Sequence, residues 1–283
     1  MRLSIDHQTG FRYASRVKSS YNEARMTPAT AEHQAVWSSR VTIQPAAWSF
    51  NYTDYWGTAV TAFELHEPHE RLTVHAQGVV ETHGDDLAWD LDRRVAPNDL
   101  GWPALRDRAV VDKMTEFLTV NDRTQPSEEL AGLAATTAGQ PPRLAALDVC
   151  SLIHDHLTYE RGSTKVSSTA REAWELGGGV CQDYSHVALG ALRSIGLPAR
   201  YVSGYLHPGS GEANKTVEGE SHSWIEWWCG SWVAYDPTLC RRLTDGYVRV
   251  GHGRDYGDVA PLRGTYSGGR SEMFVTVKLT ELG

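Results

Sequence analysis

Among the four cysteines and twelve histidines of this 283-residue chain, one stretch arranges its residues as a covalent reaction would need. It reads Gly177-Gly178-Gly179-Val180-Cys181-Gln182-Asp183-Tyr184-Ser185-His186. After it Tyr184, Val187, Ala188, Ala191, Leu192 and Ile195 recur at helical spacing, and Gly196 and Pro198 supply a stop. Cys181 therefore stands where a glycine-rich turn enters a helix. The thiolate is the nucleophilic form, and an ordinary thiol with a pKa of about 8.5 is mostly protonated at neutral pH. A helix start offers unpaired N–H groups and partial positive charge, both of which favour thiolate. The glycines, Gly179 among them, leave space above the sulfur for a substrate backbone. The N–H of Gln182 is the candidate donor to an oxyanion. Asp183 is accounted for by the helix dipole.

A cysteine nucleophile needs a base and a group that orients the base. Ser221-His222-Ser223-Trp224-Ile225-Glu226-Trp227-Trp228 reads as a strand, and Trp232-Val233-Ala234-Tyr235-Asp236 as its return, ended by Pro237. A loop of Cys229-Gly230-Ser231 sets Trp228 against Trp232, and counting outward sets His222 against Thr238. Asp236 then shares a face with His222 one diagonal step away, about 7–8 Å at the backbone, within reach of an imidazole and a carboxylate. A two-residue loop would put the pair on opposite faces, so the arrangement depends on the turn. His186, five residues along the helix from Cys181, points away from it, and His154 and His156 cannot share a helix face.

Other chemistries find less support. No Cys-x-x-Cys pair occurs, and His66 and His69 near Glu64 lack a second ligand cluster, so neither a metal nor another cofactor is expected. The glycine run is followed by Val and Cys rather than a phosphate-binding lysine. Trp224, Trp227, Trp228 and Trp232 read first as sheet packing, with Trp224 a candidate lining for an acyl-donor groove. Arg254, Asp255 and Tyr256 read as a structural ion-pair loop.

Elements must position these groups. Ile5, the pair Val41 and Ile43, the run Ala59-Thr61-Phe63-Leu65 and the run Leu72-Val74-Ala76-Gly78-Val80 show strand periodicity, punctuated by Pro45, Asn51, Gly57 and Pro68. Residues 1–100 are thus expected to form an antiparallel sandwich. Leu105, Val110, Val111, Met114, Phe117 and Leu118 give a helical stripe, and 121–142 reads as a loop with a short helix. A further helix is expected from Pro142 to His156, its proline suited to a first turn. Net charge is −8, from 27 basic and 35 acidic residues, with no basic run, which argues against a nucleic-acid partner. The N-terminus lacks the apolar core of a signal peptide, no run approaches membrane-span length, and four cysteines are too sparse for a disulfide framework. These features point to a cytoplasmic protein, with a Cys229–Cys240 pairing left open.

GGGVCQDYSH, SHSW and WVAYDPT, in this order and spacing, resemble the three core motifs of the transglutaminase-like proteins of bacteria. LRSIGLPARYVSGYL and the tail at 252–269 are similar to further parts of that core. IDHQTGFRYAS and NEARMTP are similar to the β-rich domain that often precedes it. The resemblance implies an α+β protein: a β-rich domain over 1–100, a helical connection over 101–141 and a papain-like core over 142–283. It implies Cys181 as nucleophile, His222 as base and Asp236 as orienting acid. Glu220 departs from the small or Asp residue expected before Ser-His, a change at the pocket rim. The reaction implied is acyl transfer from a peptide or protein amide through a thioester. Water as acceptor makes a protease or amidase, and an amine makes a transamidase. A non-catalytic peptide-binding module is the third reading, against which the intact set of three weighs.

Overall fold

The structure, a computed structural model, describes residues 1–84, 98–209, 215–219 and 221–282. It opens with six strands: β1 (Arg2–Val17), β2 (Ser20–Ala24), β3 (Gln34–Gln44), β4 (Trp48–Thr53), β5 (Ala59–Leu65) and β6 (His69–Thr82). The helical stretch holds α1 (Trp102–Leu105), α2 (Arg108–Leu118), α3 (Glu128–Thr137) and α4 (Pro142–His156). The single helical stripe expected over 104–120 is broken in two because Asp107 caps a new helix, accepting from Ala109 N–H at 2.9 Å. Next come β7 (Thr158–Tyr159), α5 (Ala170–Leu176), β8 (Gly178–Gly179), α6 (Cys181–Ser194), β9 (Ala199–Leu206), β10 (Thr216–Gly219), β11 (His222–Trp228) and β12 (Trp232–Tyr235). The chain ends with β13 (Tyr247–Gly253), α7 (Tyr256–Val259), β14 (Leu262–Tyr266) and β15 (Ser271–Leu282).

Two antiparallel sheets form the sandwich, one in the order β10-β15-β1-β6-β3 and the other β14-β2-β5-β4. Between them Tyr13, Val17, Met26, Phe63, Leu65, Leu72 and Val74 are buried, as the period-2 pattern requires. The sandwich is not closed by the first hundred residues. β15 pairs with β1 from Arg2↔Leu282 to Tyr13↔Ser271, and β14 pairs with β2 from Leu262↔Ala24 to Tyr266↔Ser20. The assignment of all of 142–283 to the catalytic core is corrected accordingly: 262–282 returns to the sandwich. Without β15, β1 would be an edge strand with a row of unpaired backbone groups.

A third sheet, β12-β11-β9-β13, packs one face against α6, and β7 and β8 form a two-stranded fourth. Val187, Ala188, Ala191 and Leu192 of that helix share a core with Ile225, Trp227, Val233 and Tyr235. Gly190 lets the chain at Thr124 approach: a Cβ there would lie 2.0 Å from the Thr124 carbonyl oxygen. A smaller core joins the two halves, built from Leu3, Ile5, Val80, Tyr205, Val248, Val250, Val277 and Leu279. The Gln34 amide fixes the junction, accepting from Arg249 N–H at 2.7 Å and donating to Arg249 carbonyl at 2.8 Å. The helix-and-sheet half therefore rests on the sandwich through buried apolar surface. No helix among the described residues is long and apolar enough to cross a membrane.

Candidate active site

Cys181 is the first residue of α6, and its surroundings are set by the preceding turn. Gly177 ends α5 in the left-handed region (φ 70°). Gly178 and Gly179 then pair in parallel with Thr158 and Tyr159. A Cβ on Gly179 would lie 2.6 Å from the Asp183 side chain, so this glycine is demanded by that carboxylate. The missing side chain at Gly179 thus makes room for Asp183. Asp183 does more than meet the helix dipole: it accepts from Val180 N–H at 2.8 Å and from the Thr164 hydroxyl at 2.6 Å. It ties the 160–168 loop to the helix start. The Gln182 side chain makes the same tie, donating to Val166 carbonyl at 3.1 Å. Its N–H stands in the first turn, where helical backbone donors lack an intrahelical acceptor.

The Cys229–Ser231 loop has the length expected, with Trp228 facing Trp232. The ladder extends to Ile225↔Tyr235 and then ends, because the chain turns tightly so that Asp236 and Arg241 bridge each other. His222 therefore has no partner at Thr238 but pairs with Gly204 on the other side. Ser223, Ile225 and Trp227 face α6, the Ser223 hydroxyl lying 3.1 Å from that of Ser185. His222 and Trp224 alternate to the opposite side, and at the strand's end the imidazole reaches both Asp236 and Cys181.

His222 Nε2 lies 2.7 Å from Asp236 Oδ2, leaving Nδ1 for the Cys181 sulfur. Asp236 is fully buried. Its Oδ2 also accepts from the Tyr247 hydroxyl at 2.7 Å, and Oδ1 accepts from the N–H groups of Thr238 (2.9 Å) and Leu239 (3.2 Å). Burial alone would raise its pKa, but the His222 hydrogen bond and charge, with the Tyr247 and Leu239 donors, hold it below the ordinary carboxylate value. Burial likewise opposes charge on His222, yet Asp236 and Cys181 together push it up to about 10. Desolvation would raise the half-buried Cys181 thiol, but the His222 hydrogen bond and charge, then the Ser223 hydroxyl and N–H, bring it below its ordinary value. The two shifts run in the directions that favour a thiolate beside an imidazolium.

The other candidates fall elsewhere. Trp224 is 1% exposed and packs edge-on against Tyr247 with centroids 5.4 Å apart. It lines a cavity of about 390 Å³ on the sheet face opposite α6, so its ring supports His222 from beneath. His186 is buried and neutral, its pKa lowered by burial to about 3, and accepts from Tyr256 N–H at 3.2 Å. His154 holds Thr238 carbonyl at 3.0 Å, and His156 stacks on Trp174 at 3.7 Å. Arg254 forks onto Asp258 at 2.9 and 3.0 Å, a structural pair. All four cysteines are free, Cys229 and Cys240 included. Among the described residues no three His, Cys, Asp or Glu side chains group as metal ligands. Glu220 lies outside the described residues. Sequence reasoning missed Tyr247 and Ser223. The alternation of Tyr247, Val248, Arg249 and Val250 marks a strand, and Ser223 sits inside the SHSW motif, but neither pattern names a hydrogen-bond partner.

Comparison with known proteins places the chain in a family. Residues 3–81 match the bacterial transglutaminase-like N-terminal region, and residues 131–237 match the transglutaminase-like superfamily. The uncharacterized Mycobacterium leprae protein ML0607 is 43% identical over 284 residues, covering 99% of both chains. The uncharacterized Mycobacterium tuberculosis protein Rv2569c is 32% identical over 274 residues, 93% of this chain and 87% of that one. A Pseudomonas aeruginosa protein-glutamine gamma-glutamyltransferase is 24% identical over 148 residues, 48% of this chain and 22% of its own. A solved Cytophaga hutchinsonii structure, described provisionally as a cysteine protease, shares the fold with a TM-score of 0.77 at 19% identity, over 100% of this chain and 91% of that one. With both halves matched in order, and a relative of this identity along the whole length, the chain belongs to the transglutaminase-like superfamily.

Proposed function

We propose that this protein is a cysteine-dependent acyl-transfer enzyme in which Cys181 attacks an amide carbonyl, His222 acts as acid and base, and Asp236 orients His222. The reading rests on one observation, the Cys181–His222–Asp236 line with a buried carboxylate accepting at 2.7 Å from the imidazole. In the first step the Cys181 sulfur bonds to the carbonyl carbon, and the resulting oxyanion is met by the Gln182 N–H. His222 then gives its proton to the leaving amine, the C–N bond breaks, and a thioester remains. An acceptor loses its proton to His222 as it attacks the thioester, and Cys181 is released. Water as acceptor gives hydrolysis of a peptide or isopeptide amide, the outcome we favour. Transamidation instead requires a second site that holds an amine and excludes water. The four free thiols accord with a cytoplasmic location, which belongs to the same proposal.

Iodoacetamide labelling against pH, read by intact mass and peptide mapping, tests the reading in wild type, His222→Ala and the site control Cys181→Ala. Cys181 in the wild type should label well below pH 8, and His222→Ala should slow it. Labelling no faster than that of buried Cys150, or indifferent to His222, would end the enzyme reading in favour of a peptide-binding module.

A further inference from the structure

We propose that Tyr247, oriented by Arg241, is a positioning residue that sets how firmly Asp236 holds the His222 imidazolium. The inference rests on the catalytic reading above and adds a second tier to it. Asp236 Oδ2 accepts from two donors, His222 Nε2 and the Tyr247 hydroxyl, each at 2.7 Å. The direction of the second bond is fixed. Arg241 Nε donates to the Tyr247 oxygen at 3.2 Å, so the hydroxyl hydrogen is directed to the carboxylate. Arg241 is itself tied to Asp236 by reciprocal backbone hydrogen bonds of 2.9 and 3.2 Å. Tyr247 comes from β13, beyond the turn that carries Asp236, and is 5% exposed. Its ring stands 5.9 Å from that of His222 and 5.4 Å from that of Trp224.

Cys181 faces His222 from α6, while Arg241 faces the Tyr247 hydroxyl. Tyr235 and Cys150 feel the Asp236 charge from the helical side, and burial keeps both neutral. A donor on Oδ2 withdraws electron density from the oxygen that holds the imidazolium. Removing it makes Oδ2 the stronger partner of His222 and raises the pH at which His222 loses its proton. The earlier step, loss of the Cys181 proton, starts and ends with imidazolium present, so it stays nearly in place. A role in packing alone predicts no such asymmetry, because phenylalanine keeps the ring against His222 and Trp224.

The experiment compares wild type, Tyr247→Phe, Arg241→Gln and His222→Ala in two readouts. The His222 ring midpoint is followed by carbon-13 NMR of labelled histidine, and Cys181 deprotonation by iodoacetamide labelling. In Tyr247→Phe the ring midpoint should rise by about 0.5–1 pH unit, while the labelling midpoint moves by less than about 0.2 unit. Arg241→Gln should shift the ring midpoint the same way by less, since the hydroxyl is retained but no longer polarised. An unchanged or lowered ring midpoint in folded Tyr247→Phe overturns the proposal. If that variant does not fold, Arg241→Gln decides by the same sign. A wild type whose Cys181 labels as an ordinary thiol, indifferent to His222→Ala, would overturn the catalytic reading instead, so the two failures are distinct.

Discussion

Asp236→Asn removes one negative charge and sets an amide where four donors converge. The carboxylate accepts from His222 and Tyr247 on one oxygen and from the Thr238 and Leu239 N–H groups on the other. An asparagine has one accepting oxygen, so either orientation aims an NH₂ group at two donors. A buried mismatch of this kind costs about 1–3 kcal/mol. With the opposite charge gone, the His222 pKa should fall by about 1–3 units from its position near 10. A ring that titrates about 1–3 units lower gives up its proton where the wild type keeps it, so at pH 9 the imidazolium fraction should fall from about nine-tenths to about half or less. The assay is the His222 ring midpoint, followed by carbon-13 NMR of labelled histidine, with melting curves to confirm folding. Melting also carries a sign. Because the folded state depresses the Asp236 pKa, its carboxylate stabilises the protein above the unfolded pKa, and that stability is lost as pH falls through the folded value. The asparagine variant should lack this part of the acid dependence. A folded variant whose His222 midpoint stays within about 0.3 unit of wild type would refute the argument that Asp236 charges the pair.

Two further predictions address the scaffold. Gly190→Ala would raise helix propensity by about 1 kcal/mol in an open helix, but here its Cβ meets the Thr124 carbonyl, so the variant should lose about 1–3 kcal/mol. A chemical melt giving equal or greater stability would show that the Thr124 approach yields freely. Truncation after Ala260 removes β14 and β15 and exposes the edges of β1 and β2. The shortened chain should lose its cooperative melt and aggregate on size-exclusion chromatography, and a monomeric, cooperatively folded product would show that the sandwich closes without them.

The sequence by itself determined the nucleophile's setting and the α+β class. Glycine run, helix stripe and stop around Cys181 are local signals, and so are the strand alternations near the N-terminus and Pro142 at the start of its helix. The length of the Cys229–Ser231 loop was also legible, and with it the face that His222 would take. Local patterns say nothing about partners far along the chain. β15 carries only two deeply buried apolar residues, Val277 and Leu279, so its periodicity is faint, and its place beside β1 follows from that strand's need for a second neighbour. Gly179 makes room for the Asp183 side chain four residues on, a contact that composition does not reveal. The line from His222 to Asp236 is made by a tight turn at Asp236–Arg241 and not by a continuing ladder. Tyr247 reaches Asp236 from another strand of the same sheet, a contact no spacing rule encodes. Residue types and local periods thus determined which groups were available for chemistry. Only the tertiary structure, by converging separate strands on one buried carboxylate, decided how their charges are held.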